Sequence, residues 1–523
     1  MKTSKNHPTG LYLLSLTCVG ERFSYYGMRA LLSLFLISAL FSKETTSLLY
    51  GSFTALVYLM PLLGAYISNR YFGNVRSILI GGLTMAVGHF MLFLSAAFVE
   101  QSIFKEGGII SSVVNNLPSQ ILLLAGLTFL TIGNGLFKTQ IASMVGDLYE
   151  RDDNRTESAY TLFYMGVNLG AFFAPIVCGI FESDWQNPTR FRWAFLIACI
   201  VMLLSVLVFL INKNKIKGPN GERIGGLPVI PKNKKEEVHT PIPVGRYLAT
   251  TVTFIAMFAV FSIGAENFSD YISAAVFTSS IIIPFIVIID KSLTRTERLR
   301  IGVIYIMVAF CIAFFAAYEQ AGVSLTFLAD GYADRTIGNW EMPSSWLQSI
   351  NPVCVIFFAP LMTIMWRFLG KIGIEPSAIG KQAIGLILLS LGFAVIVYAT
   401  DGLEGSSHIS MFWLVAMYAM HSIGELASQP VGMSMVKRLS PARLSVMMMG
   451  IWYLSSASAN IFAGKLSALY PEPGKEASQI FGYTISSISD FFLIFVIIAG
   501  IAGIILLCLA PWFNKIINTN EER

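Results

Sequence analysis

Six ionisable residues interrupt long apolar stretches of this 523-residue chain: Glu21, Arg22, Arg29, Lys138, Glu319 and Glu425. At the centre of a membrane helix each such group costs about 2.5–3.5 kcal/mol, so the six together oppose insertion by on the order of 15–20 kcal/mol. Groups this costly persist where they pair with one another or line a wet cavity, which makes them candidates for solute binding and proton transfer. Static ion pairs could account for any one of them. Three cations and three carboxylates on four separate stretches of chain call for a shared aqueous chamber. On the first of these stretches Cys18, Arg22, Tyr25 and Arg29 share one helix face, flanked by Glu21 and Tyr26. Charges of both signs beside aromatic rings suit a small dipolar solute.

Other chemistries find no footing. GNGLFKT (Gly133–Thr139) places a lysine near glycines, but Phe137 stands where a phosphate loop needs glycine. The five histidines (His7, His89, His239, His408, His421) have no metal-ligand spacing. His421, one turn before Glu425, is the one placed to respond to a proton there; ordinary packing is the alternative. All six cysteines lie in apolar spans and read as small packing residues. Glu21, Glu319 and Glu425 are on different helices and no nucleophile–base pair is legible. The chain is therefore expected to be no enzyme and to need neither metal nor cofactor.

What must position these residues is a bundle of membrane helices. Of the residues, 55% are hydrophobic and 13% charged, half the charge of a typical soluble protein, and mean hydropathy is +0.66. A soluble body of this length cannot cover itself with so few charges. Apolar runs long enough to cross ~30 Å of hydrocarbon recur throughout. They predict fourteen spans, at 11–40, 47–69, 77–98, 119–148, 157–180, 191–212, 247–265, 271–290, 301–329, 345–370, 382–399, 410–436, 444–467 and 485–513. Of the 36 lysines and arginines, 26 fall on the side of the N-terminus and six opposite. That bias places both termini in the cytoplasm and makes the net charge of +5 a topology signal, not a nucleic-acid footprint.

The composition breaks once, over residues 213–246, where Gly, Pro and mixed charge read as a cytoplasmic linker. The expected organisation is a six-helix bundle over 1–212, this linker, an accessory hairpin over 247–290 and a second six-helix bundle over 291–523. A faint repeat relates the halves. IGNGLFKTQIASMV from Ile132 aligns with IGELASQPVGMSMV from Ile423, placing Glu425 opposite Asn134 and Gln429 opposite Lys138. Parallel repeats of this kind build transporters whose sites lie between the halves.

GERFSYYGMRALL (Gly20–Leu32) resembles the ExxERFxYYG signature of the proton-coupled oligopeptide transporters of the major facilitator superfamily. The likeness continues in order through GNGLFK (Gly133–Lys138), FYMGVNLGA (Phe163–Ala171), YEQAGVSL (Tyr318–Leu325), WLQSINP (Trp346–Pro352), GELASQPVG (Gly424–Gly432) and GIWYLSSASANIFAG (Gly450–Gly464). The resemblance implies an all-α polytopic membrane protein of bacterial type, two six-helix bundles plus a two-helix hairpin. It would be a monomer of the inner membrane, surrounded by lipid, importing di- and tripeptides with protons by alternating access.

By the same resemblance, Arg29 and Lys138 would attract the peptide carboxylate and Glu425 would take its amino terminus. Asn168 and Asn351 would bond its backbone, and Tyr25, Tyr26, Tyr58 and Trp452 would line the side-chain pocket. Glu21, Arg22, Arg29, Lys138, Glu319 and Glu425 would couple protons to gating, with Arg29–Glu319 and Lys138–Glu425 pairs made in one state and broken in another.

Four positions depart from the family pattern. The first glutamate of the signature falls on Cys18, a thiol with a reference pKa of about 8.5 that stays neutral at pH 7. Gln429 replaces a serine, Thr139 a proline, and Asn69 the aspartate of the loop motif within GAYISNRYFGNVR (Gly64–Arg76). Cys18 bears most on mechanism. It implies fewer protons per cycle, coupling through Glu319 alone, or uncoupled facilitation. The alternatives are the same fold with altered or no proton coupling carrying another peptide-like or anionic small solute, and, in another class, a membrane sensor without flux.

Overall fold

The computed structural model describes residues 7–39, 41–99, 117–150, 153, 155–182, 187–226, 244–290, 293–403, 407–441, 444–472, 474–480 and 482–518. Residues 227–243 of the expected linker lie outside them.

Fifteen α-helices hold most of these residues, beside three two-stranded β-ribbons: α1 (Thr9–Ala39), α2 (Lys43–Ile67), α3 (Asn74–Ala97), α4 (Leu117–Gly146), α5 (Arg155–Gly179), α6 (Phe191–Asn212), α7 (Val244–Phe261), α8 (Phe268–Ile288), α9 (Arg295–Tyr318), α10 (Ser324–Tyr332), α11 (Ile350–Lys371), α12 (Ala378–Thr400), α13 (Met411–Leu439), α14 (Ser445–Ser467) and α15 (Ile488–Asn518). Each of the fourteen expected spans meets one of them, and α9 with α10 forms a single span. Ten of the described helical spans are long and apolar enough to cross a membrane on length and composition alone. α1 is not among the ten; its centre carries Glu21, Arg22 and Arg29.

Hydroxyl caps start several helices by accepting an otherwise orphaned backbone N–H. Ser42 accepts from Thr45 N at α2, Ser377 from Gly380 N at α12, and Thr294 with Glu297 closes a capping box at α9. The end of α2 loosens into a π-turn, Ser68–Phe72, and stops at Gly73. The φ of 72° there is the left-handed conformation that favours glycine.

The expected span over 301–329 is met by α9 and α10 together, with a break in the helix at Glu319. Residues Glu319–Gly322 form a 3₁₀ turn, and Val323 (φ −132°, ψ −87°) redirects the chain into α10. Gly322 leaves room in this turn for the Tyr50 hydroxyl arriving from α2, with which a Cβ would collide. The span beginning near 345 likewise opens with a 3₁₀ turn, Ser344–Ser349, before α11.

α1 packs on α5 and α6, α3 on α4 and α6, and α2 on α4; in the second half α12 packs on α13 and α15, and α9 on α14 and α15. Both halves use the same close helix contact. A Cβ on Gly133 of α4 would sit 2.6 Å from Gly81 O of α3, and one on Gly424 of α13 would sit 2.8 Å from Gly385 O of α12. Gly133 and Gly424 are the residues that the sequence repeat aligns. Small residues let membrane helices approach backbone to backbone. At Gly64 of α2 a Cβ would be driven into the Gly135 carbonyl of α4, and backbone cannot swing aside. Gly64→Ala is expected to cost about 1–3 kcal/mol or more, read as a lower unfolding temperature of the purified protein.

The bundles meet closely near the C-terminal end of α1 and the N-terminal end of α2. Gln348 Nε2 donates to Ala30 O (3.4 Å), Ser349 Oγ to Phe172 O (2.9 Å), and Lys43 Nζ lies 5.2 Å from the Tyr470 ring and 5.7 Å from the Phe327 ring. Along the α2–α14 seam a Cβ on Gly51 would fall 2.7 Å from Asn460 O and from Gly464 Cα.

Candidate functional site

The six intramembrane charges gather into three groups along the seam between the halves. The first joins α1 to α4. Arg22 Nε lies 2.9 Å from Glu21 Oε2, an ion pair by distance, although the two atoms are not aligned as a hydrogen bond. Asn134 Nδ2 donates to Glu21 Oε1 at 3.2 Å. Cys18 is buried against Arg22 and Glu21. Lys138, one helical turn beyond Asn134, holds its ammonium 4.4 Å from the Tyr58 ring centroid, a cation–π contact.

The second group bridges the bundles. Arg29 Nη2 of α1 donates to Glu319 Oε2 at the break after α9, and Arg29 Nε donates to the Tyr50 hydroxyl of α2 (2.7 Å). Because Glu319 opens the 3₁₀ turn, its carboxylate sits at a backbone irregularity buried in protein, the setting in which a membrane tolerates one.

The third group lies in the second half. Glu425 Oε2 of α13 accepts from the Tyr318 hydroxyl (2.6 Å) and from Asn351 Nδ2 of α11 (3.1 Å). The same amide reaches the Tyr318 hydroxyl (2.7 Å) and Ser422 Oγ (2.9 Å). Tyr318 is held by stacking on Phe314 with ring centroids 5.7 Å apart. The pseudo-symmetry extends to this level: Asn134 turns from α4 to α1, and its aligned counterpart Glu425 turns from α13 to α9.

The remaining expected residues fall as follows. Tyr25 and Tyr26 meet edge to face at 5.4 Å, Tyr25 buried and Tyr26 half-buried. Asn168 Nδ2 turns back to Tyr164 O on its own helix (2.9 Å). Trp452 is buried, its indole filling the notch left by Gly432. Lys138 and Glu425 form no ion pair in this state; each is held by neighbours on its own side. His421 packs: its ring lies 4.6 Å from that of Phe393 and Nε2 sits 3.2 Å from Leu389 O.

Sequence reasoning missed several participants. Tyr318 stands next to Glu319 in the quoted YEQAGVSL motif, and Ser422 lies three residues before Glu425 on one helix face; both signals were present. Glu182 and Arg335 had none. The Glu182 carboxylate, just beyond α5, accepts from Ser344 N (2.7 Å), Ser344 Oγ (2.7 Å) and Ser345 N (2.9 Å) of the other half. Arg335 lies 3.7 Å from that carboxylate and donates to Glu341 and Met342 O. Among the described residues no cluster of His, Cys, Asp or Glu could hold a metal ion.

Residues 75–482 match the sequence model of the POT family. The chain is 31% identical over 478 residues to the peptide transporter YePEPT of Yersinia enterocolitica subsp. palearctica, spanning 88% of each chain. It is 28% identical over 511 residues to dipeptide and tripeptide permease A of Edwardsiella piscicida, spanning 97% of this chain and 95% of that one. Among solved structures, a variant of the peptide transporter POT in complex with alafosfalin superposes with a TM-score of 0.77 at 28% identity, over 98% of this chain and 97% of that one. A POT family transporter in complex with 5-aminolevulinic acid superposes with a TM-score of 0.76 at 27% identity, over 98% of each chain. A two-bundle helical fold with ions of both signs at its seam, matched over most of its length by this family, identifies the chain as a member of the POT family of membrane transporters.

Proposed function

We propose that this protein imports di- and tripeptides by alternating access, driven by protons, across an inner (cytoplasmic) membrane with both termini in the cytoplasm, and that it works as a monomer. The rocking units are residues 1–212 and 291–523. One observation carries the reading. Of the six intramembrane charges, Arg22 is paired with Glu21 and Arg29 with Glu319, which leaves Lys138 in the first bundle and Glu425 in the second, neither held in an ion pair among the described residues. A free peptide is a zwitterion and completes both: its amino terminus answers Glu425 and its carboxylate answers Lys138. The cargo thereby draws the two halves together, as alternating access requires. Relatives named as peptide transporters and as dipeptide and tripeptide permeases support the substrate class.

Uptake of a labelled dipeptide into proteoliposomes, with and without an inward pH gradient, tests the reading. Accumulation above the equilibrium level is expected only with the gradient. If no peptide moves or competes in either condition, the substrate assignment fails. The same assay on Cys18→Glu tests the coupling. A titrating carboxylate beside Arg22 is expected to steepen the pH dependence; an unchanged profile would show that position 18 lies outside the proton path.

A further inference from the structure

The hairpin formed by α7 and α8 looks accessory in the sequence, yet α8 touches both bundles. Near its start Ser269 Oγ lies 2.6 Å from Ser52 Oγ of α2 and donates to Leu48 O of α2 (3.1 Å). Three turns further on Ser280 Oγ lies 2.6 Å from Ser458 Oγ of α14, and Asp270 is 3.6 Å from Lys465 at the end of α14. Around these polar contacts the three helices share an apolar core of their own, separate from the main one: Ala55 of α2, Ile272 and Val276 of α8, and Leu454, Ala457 and Ile461 of α14. Tyr58, the ring beneath Lys138, packs against this small core. α8 thus lies along the seam where Gly51 and Gly464 bring α2 and α14 to backbone contact.

We propose that α8 is a clasp on that seam: Ser269 ties it to the first bundle and Ser280 to the second, so that both serines are positioning residues for the transport cycle. α8 cannot keep both sets of contacts once α2 and α14 part. The hairpin therefore favours the state closed on the side away from the termini, and breaking the clasp shifts the balance between states without touching the peptide. The consequence for transport rests on the alternating-access reading above; the clasp itself is a property of the substrate-free protein.

The test is hydrogen–deuterium exchange on the purified full chain without substrate, comparing the parent with the double variant Ser269→Ala/Ser280→Ala. Exchange is expected to rise several-fold over residues 43–52 of α2 and 456–467 of α14, with α12 unchanged. Dipeptide uptake is expected to show Vmax altered at least twofold at an unchanged KM. Ser269→Thr/Ser280→Thr, which keeps both hydroxyls, is expected to restore parental values. If the double alanine variant does not fold, each single alanine variant is expected to raise exchange in both segments. Unchanged exchange in either segment overturns the proposal, as does a rise that includes α12, an unaltered Vmax or a shift in KM. Should the parent carry no peptide, the proposed substrate fails and the exchange data alone decide the clasp.

Discussion

Glu319→Gln is expected to abolish gradient-driven accumulation while leaving peptide exchange across the membrane. The Arg29–Glu319 pair is nearly sealed from solvent, with side chains 13% and 5% exposed, and it joins the two bundles. Removing one partner of a buried ion pair costs about 3–5 kcal/mol, because the other charge stays buried and unanswered. That is roughly two to four orders of magnitude in the ratio of closed to open states. The Tyr50 hydroxyl remains to Arg29, but a neutral acceptor replaces little of a carboxylate. The sign follows from the proton. In the proposed coupling, a proton taken up at Glu319 would neutralise it and free Arg29, and its loss would restore the pair. Glutamine imitates the protonated form permanently, so the bundles still exchange loaded forms, but a pH gradient has nothing to act on. Counterflow of labelled against unlabelled dipeptide is therefore retained within a few-fold, and uphill uptake is lost. Uphill uptake at the parental rate would remove Glu319 from the coupling path.

The site was legible wherever a residue is costly irrespective of its neighbours. A charge inside an apolar run opposes insertion whatever it contacts, so Glu21, Arg22, Arg29, Lys138, Glu319 and Glu425 could be singled out from spacing alone. Ten of the expected spans were legible for the same reason, since crossing length is a property of a single helix. What depends on a partner was not. Gly322 reads as one more small residue in a membrane helix until the Tyr50 hydroxyl is seen lodged against it. Glu182 and Arg335 read as ordinary loop charges; the Ser344–Ser345 amides that Glu182 caps come from the other half of the chain. Trp452 shows the converse. Its type fits a pocket wall, while the glycine at 432 gives it a niche inside the second bundle. The family resemblance anticipated one long-range contact that the structure contains, the Arg29–Glu319 pair; the repeat anticipated none, although Gly133 and Gly424 meet the preceding helix in the same manner.

Glu425→Gln carries the second large effect, and it separates peptide recognition from gating. The Glu425 carboxylate is oriented by Tyr318 and Asn351, and no cation answers it among the described residues. A peptide amino terminus brought there forms a charge-assisted contact away from bulk water, and truncating one side of such a pair costs about 2–5 kcal/mol. KM for a free dipeptide is expected to rise on the order of 30-fold or more, since 1.4 kcal/mol is a factor of ten. A dipeptide whose amino group is replaced by hydrogen loses the same contact from the other side. For that ligand, measured as an inhibitor of uptake, the parent and Glu425→Gln should bind about equally. The two changes together should then cost no more than either alone, the non-additivity that marks a direct interaction. Lys138→Gln supplies the control. It is expected to weaken free dipeptide as well, yet to leave intact the preference for an amino terminus, because in the proposed binding mode Lys138 answers the carboxylate end. Equal losses for both ligands in Glu425→Gln would show that this carboxylate serves the gate and not the cargo, and an anionic solute would then fit the chamber better than a peptide.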